Sequence, residues 1–165
     1  MKMTIKIGDA LPHVTLKRLG ENGMEDLAFG EYIKGKKIVL FAVPGAFTPS
    51  CTMKHLPGYV TNADKIKATG VDEIICLSVN DPFVMKAFGE QANANGKITM
   101  LPDWKAELVG AMGLSFDASG AGLGTRAQRF SMVIENGVVT DLQVEEAPSA
   151  VELSGAEACL VKLAA

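Results

Sequence analysis

Cys51, Cys76 and Cys159 are the three thiols of this 165-residue chain, and only Cys51 has a setting that favours reaction. It ends the stretch Ile38-Val39-Leu40-Phe41-Ala42-Val43-Pro44-Gly45-Ala46-Phe47-Thr48-Pro49-Ser50-Cys51. The first half is a continuous apolar run, rich in β-branched and aromatic residues, as in a strand buried on both faces. Pro44-Gly45 breaks it. Thr48-Pro49 then reads as a helix start: a hydroxyl for the free N–H groups, followed by a residue already set near φ −65°. Cys51 thus falls in the first turn of a helix, just past the carboxyl end of a central strand. There the positive end of the helix dipole favours thiolate over thiol, and the thiolate is the nucleophile.

A thiolate in such a site also needs a cation. A helix N-terminus and a nearby positive charge together lower a free thiol, which titrates near 8.5, by on the order of two units. Arg126 and Arg129, in Gly124-Thr-Arg-Ala-Gln-Arg-Phe130, are the candidates. Arg129 is expected to open the strand Arg129–Glu135 and Arg126 to lie in a loop, so Arg129 is the better mounted. Arg126 is better read as part of a surface or interface ion pair. Thr48, three residues before Cys51, can direct its hydroxyl to the sulfur and to a substrate oxygen while capping the helix. Pro44 offers no N–H and can cover the site with an apolar ring. His55, four residues after Cys51, could complete a Cys/His pair, but a hydrogen-bonding role is preferred.

Four ordered segments carry a family resemblance: PGAFTPSC from Pro44, HLPGY from His55, CLSVND from Cys76 and RFSMVIENG from Arg129. Pro44, Thr48 and Cys51 form P-x-x-x-T-x-x-C. From about Ile5 to Leu163 the chain resembles the type II, peroxiredoxin-5-like, peroxiredoxins. The resemblance implies an α/β, thioredoxin-like fold and a thiol-dependent peroxidase that reduces hydrogen peroxide and alkyl hydroperoxides through a Cys51 sulfenic acid. It implies Arg129 as the active-site arginine, no cofactor or metal, and a homodimer. Some members resolve the sulfenic acid with a cysteine at the position of Cys76. Others use one in the loop before the last helix, near Leu153, where this chain has none. A buried core thiol is an equally good account of Cys76; glutaredoxin/glutathione or thioredoxin would then act directly. Cys159, among Ala156, Leu160 and Leu163, reads as helix packing.

These residues need a scaffold, and the remaining pattern supplies one. After the lead-in Met1–Leu11, His13–Lys17 alternates and Glu21-Asn22-Gly23 turns, so a hairpin is expected, with His13 on its surface. Cys51 to about Thr69 is helical and closed by Gly70, with Pro57 expected to loosen its first turns. Glu73–Val79 is a second strand, parallel to the first by the βαβ order. Asn80-Asp81-Pro82 caps a helix to about Ala94, and Ile98–Leu101 is a short strand. Asp103 caps a helix carrying Trp104, Leu108 and Met112, with Trp104 in the core or at an interface. Ser119–Thr125 is rich in glycine but lacks G-x-G-x-x-G and reads as a flexible loop. Asn136-Gly137 joins two strands, and Val151–Leu163 is the last helix. A central mixed sheet flanked by helices, in one domain over residues 1–165, follows. With its strand ending near Asn80, Cys76 lies roughly 13 Å back from the site. A Cys51–Cys76 disulfide then requires unfolding from about Thr48 to Tyr59, because bonded Cα atoms lie within ~7 Å.

The hydrophobic content of 48% and net charge of −3 are those of a soluble globular chain, with no basic cluster for nucleic acid or an anionic membrane. No apolar run approaches the ~20 residues of a span, and MKMTIKIGDALP has no secretory h-region. Three cysteines without C-x-x-C argue against a disulfide framework or zinc site and point to the cytoplasm. Two alternatives share the fold: a thioredoxin-like disulfide reductase, which the missing C-x-x-C disfavours, and a peroxide sensor or apolar-binding protein without significant turnover.

Overall fold

A computed structural model describes residues 4–164; Met1–Met3, the first part of the expected lead-in, lie outside the described residues. Thr15–Gly20 (β1) and Gly23–Ala28 (β2) make the expected antiparallel hairpin, followed by the short helix Phe29–Tyr32 (α1). Exposed His13 precedes β1, and its Nδ1 accepts from the Gly30 amide at 3.1 Å. Lys37–Ala42 (β3) is the centre of the molecule. It runs parallel to Glu73–Ser78 (β4), which runs parallel to Thr99–Pro102 (β5). On its other side β3 pairs antiparallel with the strand Phe130–Glu135.

Between β3 and β4 lies a helical segment whose first part, Cys51–His55, is a π-helical turn and whose remainder, Leu56–Ala68, is α2. Gly70, at φ +105°, ends it as expected. Pro82–Gln91 (α3) starts where Asp81 accepts from the Val84 amide at 2.9 Å, and stops three residues short of the expected Ala94. Asp103 does cap a helix: its carboxylate accepts from the amides of Leu108 (3.1 Å) and Val109 (2.9 Å). That helix (α4) is only Glu107–Ala111, because Ala106 turns through φ +57° before it. Trp104 therefore lies outside the helix and is 43% exposed, so it is not a core residue.

Ser115–Asp117 (β6) and Thr125–Ala127 (β7) form a small hairpin where only a loop was expected. Gly122 and Gly124 have φ of +77° and +71°, a left-handed backbone at no steric cost for glycine. The hairpin puts Arg126 on a strand, whereas Arg129 stands just before Phe130–Glu135 (β8); the expected mounting of the two arginines is reversed. Asn136-Gly137, at φ +49° and +81°, turns β8 into Val138–Val144 (β9). The last helix, Ala156–Ala164 (α5), begins later than Val151.

The five strands lie in the order β5-β4-β3-β8-β9, a mixed sheet with helices against it, as expected of a thioredoxin-like fold. Alternate residues of β3, with Val43 just past its end, feed two cores. Ile38, Leu40 and Ala42 face the hairpin, α1 and α4. Val39, Phe41 and Val43 face α2, α3 and α5. The second core contains all three cysteines.

Candidate active site

Where β3 ends, Pro44 and Gly45 are buried and the chain turns outward through Ala46 and Phe47, the latter at φ +65°. Asn80, just after β4, holds this turn by accepting from the Ala46 amide at 3.0 Å and the Ser78 hydroxyl at 2.6 Å. Those side-chain bonds also end β4 at Ser78, two residues before Asn80. Helical backbone starts at Pro49, as expected from Thr48-Pro49. The Thr48 hydroxyl, however, makes no capping bond: it donates to the Gly45 carbonyl at 2.7 Å and locks the turn. The Thr48 backbone carbonyl accepts from the Thr52 amide at 2.9 Å, and its hydroxyl oxygen keeps its lone pairs.

Cys51 opens the π-helical turn, and its carbonyl accepts from the Leu56 amide, five residues on. Pro57 explains the widened register. It has no N–H for the turn before it, and its ring crowds the carbonyl four residues back. The loosening expected from Pro57 thus takes a definite form.

Arg129 meets Cys51 inside the molecule. Its Nη2 donates to Cys51 Sγ at 3.0 Å, and both residues are buried. Its other two nitrogens are engaged as well, Nε donating to the Pro148 carbonyl at 2.8 Å and Nη1 to His55 Nδ1 at 2.7 Å, which leaves one further N–H on each of Nη1 and Nη2. A guanidinium held at three points has little freedom to swing away. His55 Nε2 donates to the Ser154 carbonyl at 3.0 Å, so the proton sits on Nε2 and Nδ1 is free to accept. Burial, and secondly Arg129, hold the imidazole far below its ordinary value, to about 3. His55 is therefore neutral and turned toward Arg129, the hydrogen-bonding role rather than that of a base. Tyr59 OH shares the Ser154 carbonyl at 2.7 Å, and its ring stacks on Phe41 with centroids 3.9 Å apart.

Arg126 is not in an ion pair among the described residues. It donates to the carbonyls of Leu123 (2.8 Å), Val79 (3.0 Å) and Pro44 (3.5 Å), tying β7 to the loop before Cys51. It braces the site from outside and does not reach the sulfur.

The Redoxin family profile matches residues 6–160. Peroxiredoxin-2C of Oryza sativa subsp. japonica is 41% identical, covering 96% of this chain and 98% of the relative. The chain belongs to the peroxiredoxins. Peroxiredoxin-2B of Arabidopsis thaliana is 43% identical over 86% of this chain and 88% of its own. A crystal structure of reduced Prx3 from Vibrio vulnificus in complex with hydrogen peroxide superposes with a TM-score of 0.92. It is 51% identical and covers 97% of this chain and 99% of that one. These relatives make this a type II peroxiredoxin with the thioredoxin-like fold, and a thiol-dependent peroxidase.

The other two thiols of this peroxiredoxin sit differently. Cys76 is mid-strand on β4, opposite Phe41 and Met100. Burial, then the neighbouring Cys51, push its thiol well above the ordinary range. Because β4 stops at Ser78, Cys76 is two residues from the strand end, roughly 7 Å by strand rise rather than 13 Å. Cys159 is buried on α5 and pushed up to about 11 by burial, in keeping with packing. All three thiols are free. Ser154, Pro148 and Tyr59, which hold His55 and Arg129, carried no sequence signal as site residues. Two of them act through carbonyls, which every residue has. Only the helical apolar spacing marked Tyr59, and it marked it as core.

Proposed function

We propose that Cys51 is the peroxidatic nucleophile of this peroxidase, acting on hydrogen peroxide and on alkyl hydroperoxides. The observation that carries this is the 3.0 Å bond from Arg129 Nη2 to Cys51 Sγ, between two buried side chains. The sulfur attacks the terminal oxygen of the peroxide, an S–O bond forms and the O–O bond breaks. Sulfur is oxidised to the sulfenic acid, and the alkoxide or hydroxide leaves with the electron pair and takes up a proton. Arg129 stabilises the charge that passes from sulfur to leaving oxygen. Thr48 orients the peroxide through its oxygen lone pairs, since its proton is engaged by Gly45. Pro44, buried over the turn, helps exclude water.

A second thiol attacks the sulfenic sulfur and releases water. Cys76 in this chain, or glutathione with glutaredoxin, or thioredoxin, fills that part. The nearness of Cys76 to the strand end supports the internal route, and the full burial of both sulfurs means that the Cys51 turn must open first. A cytoplasmic setting accords with three unpaired thiols in a reducing compartment. A homodimer is supported by exposed Phe47 (47%) and Phe83 (65%), which flank the turn before Cys51 and the start of α3. Peroxide consumption that is catalytic in protein, with a dithiol as reductant, tests the assignment. Turnover that is undiminished in Cys51→Ser refutes it. Peptide mass spectrometry after one equivalent of peroxide separates the two recycling routes: a Cys51–Cys76 disulfide, or a Cys51 sulfenic acid with Cys76 free.

A further inference from the structure

Glu145 follows β9 with its side chain turned inward, buried although it is a carboxylate. Four donors surround it. Oε2 accepts from the amides of Glu152 (2.9 Å) and Ser154 (2.7 Å) and from the Ser154 hydroxyl (2.6 Å). Oε1 accepts from the Leu153 amide at 3.1 Å. Three successive backbone amides converging on one carboxylate make a charge-assisted clamp. They also explain why residues 152–154 stay out of α5: their N–H groups are bent onto Glu145.

Both ends of this clamp reach the catalytic arginine. Through the main chain, the Glu145 amide donates to the Arg129 carbonyl at 2.9 Å. Through the clamped turn, the Ser154 carbonyl accepts from His55 Nε2 and Tyr59 OH. A carbonyl can only accept, so this contact puts the imidazole proton on Nε2. Nδ1 is left as the acceptor that Arg129 Nη1 needs. If the turn were released, His55 could place its proton on Nδ1. That tautomer would repel the guanidinium instead of holding it.

We propose that Glu145 is a positioning residue for the peroxidase reaction: it clamps the 152–154 turn, which sets the His55 tautomer that aims Arg129 at Cys51. The inference rests on reading Cys51 and Arg129 as the reacting pair. A carboxylate that merely stapled the turn would affect unfolding and nothing else. One that positions Arg129 also alters His55 and the reactivity of Cys51.

Glu145→Gln in the full chain is the test, with Glu146→Gln, an exposed neighbour, as the control. In the unsubstituted protein at pH 7, the ¹⁵N shifts of His55 should show a single tautomer with the proton on Nε2. In Glu145→Gln they should show both tautomers. Peroxide reduction and alkylation of Cys51 should both slow by on the order of tenfold, less than the ~10²-fold that an ångström of misplacement can cost. Glu146→Gln should change neither. Should Glu145→Gln fail to fold, Ser154→Ala removes only the hydroxyl donor and should move both readouts the same way, by a smaller amount. A Nδ1-protonated His55 in the unsubstituted protein overturns the proposal. So does a Glu145→Gln protein that keeps the single Nε2 tautomer, whatever its melting temperature. The tautomer does not depend on turnover, so peroxidase activity that is indifferent to Cys51→Ser refutes the assignment of Cys51 and not the clamp.

Discussion

Cys51 and Cys76 share one apolar cluster on one face of the sheet, and neither exposes any surface. Their surroundings are nonetheless opposite. Cys76 lies between neighbouring strands with nothing ionic bonded to it among the described residues, and burial drives its thiol strongly toward the protonated form. Nearby Arg129 acts the other way on Cys76 and is outweighed. Cys51 is as deeply buried but receives an N–H directly from that same guanidinium. Burial therefore does not set the two thiols apart. They differ in which sulfur a fixed donor reaches, and Arg129 is fixed by carbonyls and a neutral histidine.

The largest expected effect breaks the comparison outright. Cys51→Ser should abolish peroxide reduction, while Cys76→Ser should leave the first oxidation of Cys51 intact and Cys159→Ser should leave turnover intact. Rapid-mixing peroxide assays decide this, and loss of the first oxidation in Cys76→Ser would mean that the two sulfurs act as a unit. Next, Arg129→Ala should slow the peroxide step by ~10²–10³-fold, the cost of removing one charge-stabilising donor. Arg126→Ala, which loosens the Pro44 loop without touching sulfur, should cost less; the reverse order of second-order rate constants would reassign the arginines.

Acid sharpens the contrast through His55. Its imidazole titrates near 6.5 in an unfolded chain and at about 3 in the fold. Between those values the unfolded chain binds the extra proton. The stability that comes from keeping His55 neutral is complete above about pH 6.5 and is lost as pH falls toward 3. Melting temperatures at pH 7, 5 and 4 should therefore fall more steeply in the unsubstituted protein than in His55→Asn. Equal slopes would remove His55 from the acid response. The raised Cys76 thiol has the opposite sign, with stability lost on the alkaline side above its ordinary value near 9.

The smallest effect concerns the π-helical turn. Pro57→Ala restores a donor and should let Cys51–His55 tighten toward α-helical register, slowing local opening. Peptide mapping after one equivalent of peroxide should then give several-fold less Cys51–Cys76 disulfide relative to sulfenic acid. An unchanged ratio would separate the turn from the resolving step.

Much of this was legible in the chain. The apolar run of β3, the Pro44-Gly45 break and Thr48-Pro49 place Cys51 at a helix start, because turn and capping chemistry is local. Asn136-Gly137 announces its hairpin for the same reason. The unbroken apolar run of β3 marks a strand with two buried faces, and GTRAQRF offers the cation. Tertiary structure alone decided where that cation points. Arg126 and Arg129 are three residues apart with the same chemistry, yet the β6–β7 hairpin turns one onto loop carbonyls and leaves the other facing Cys51. It also decided that Val151–Gly155 is bent rather than helical. The partners in those choices are carbonyls and amides up to 99 residues away in sequence, as between His55 and Ser154. Every residue carries such groups, so no pattern of side chains reveals which of them the fold will bring together.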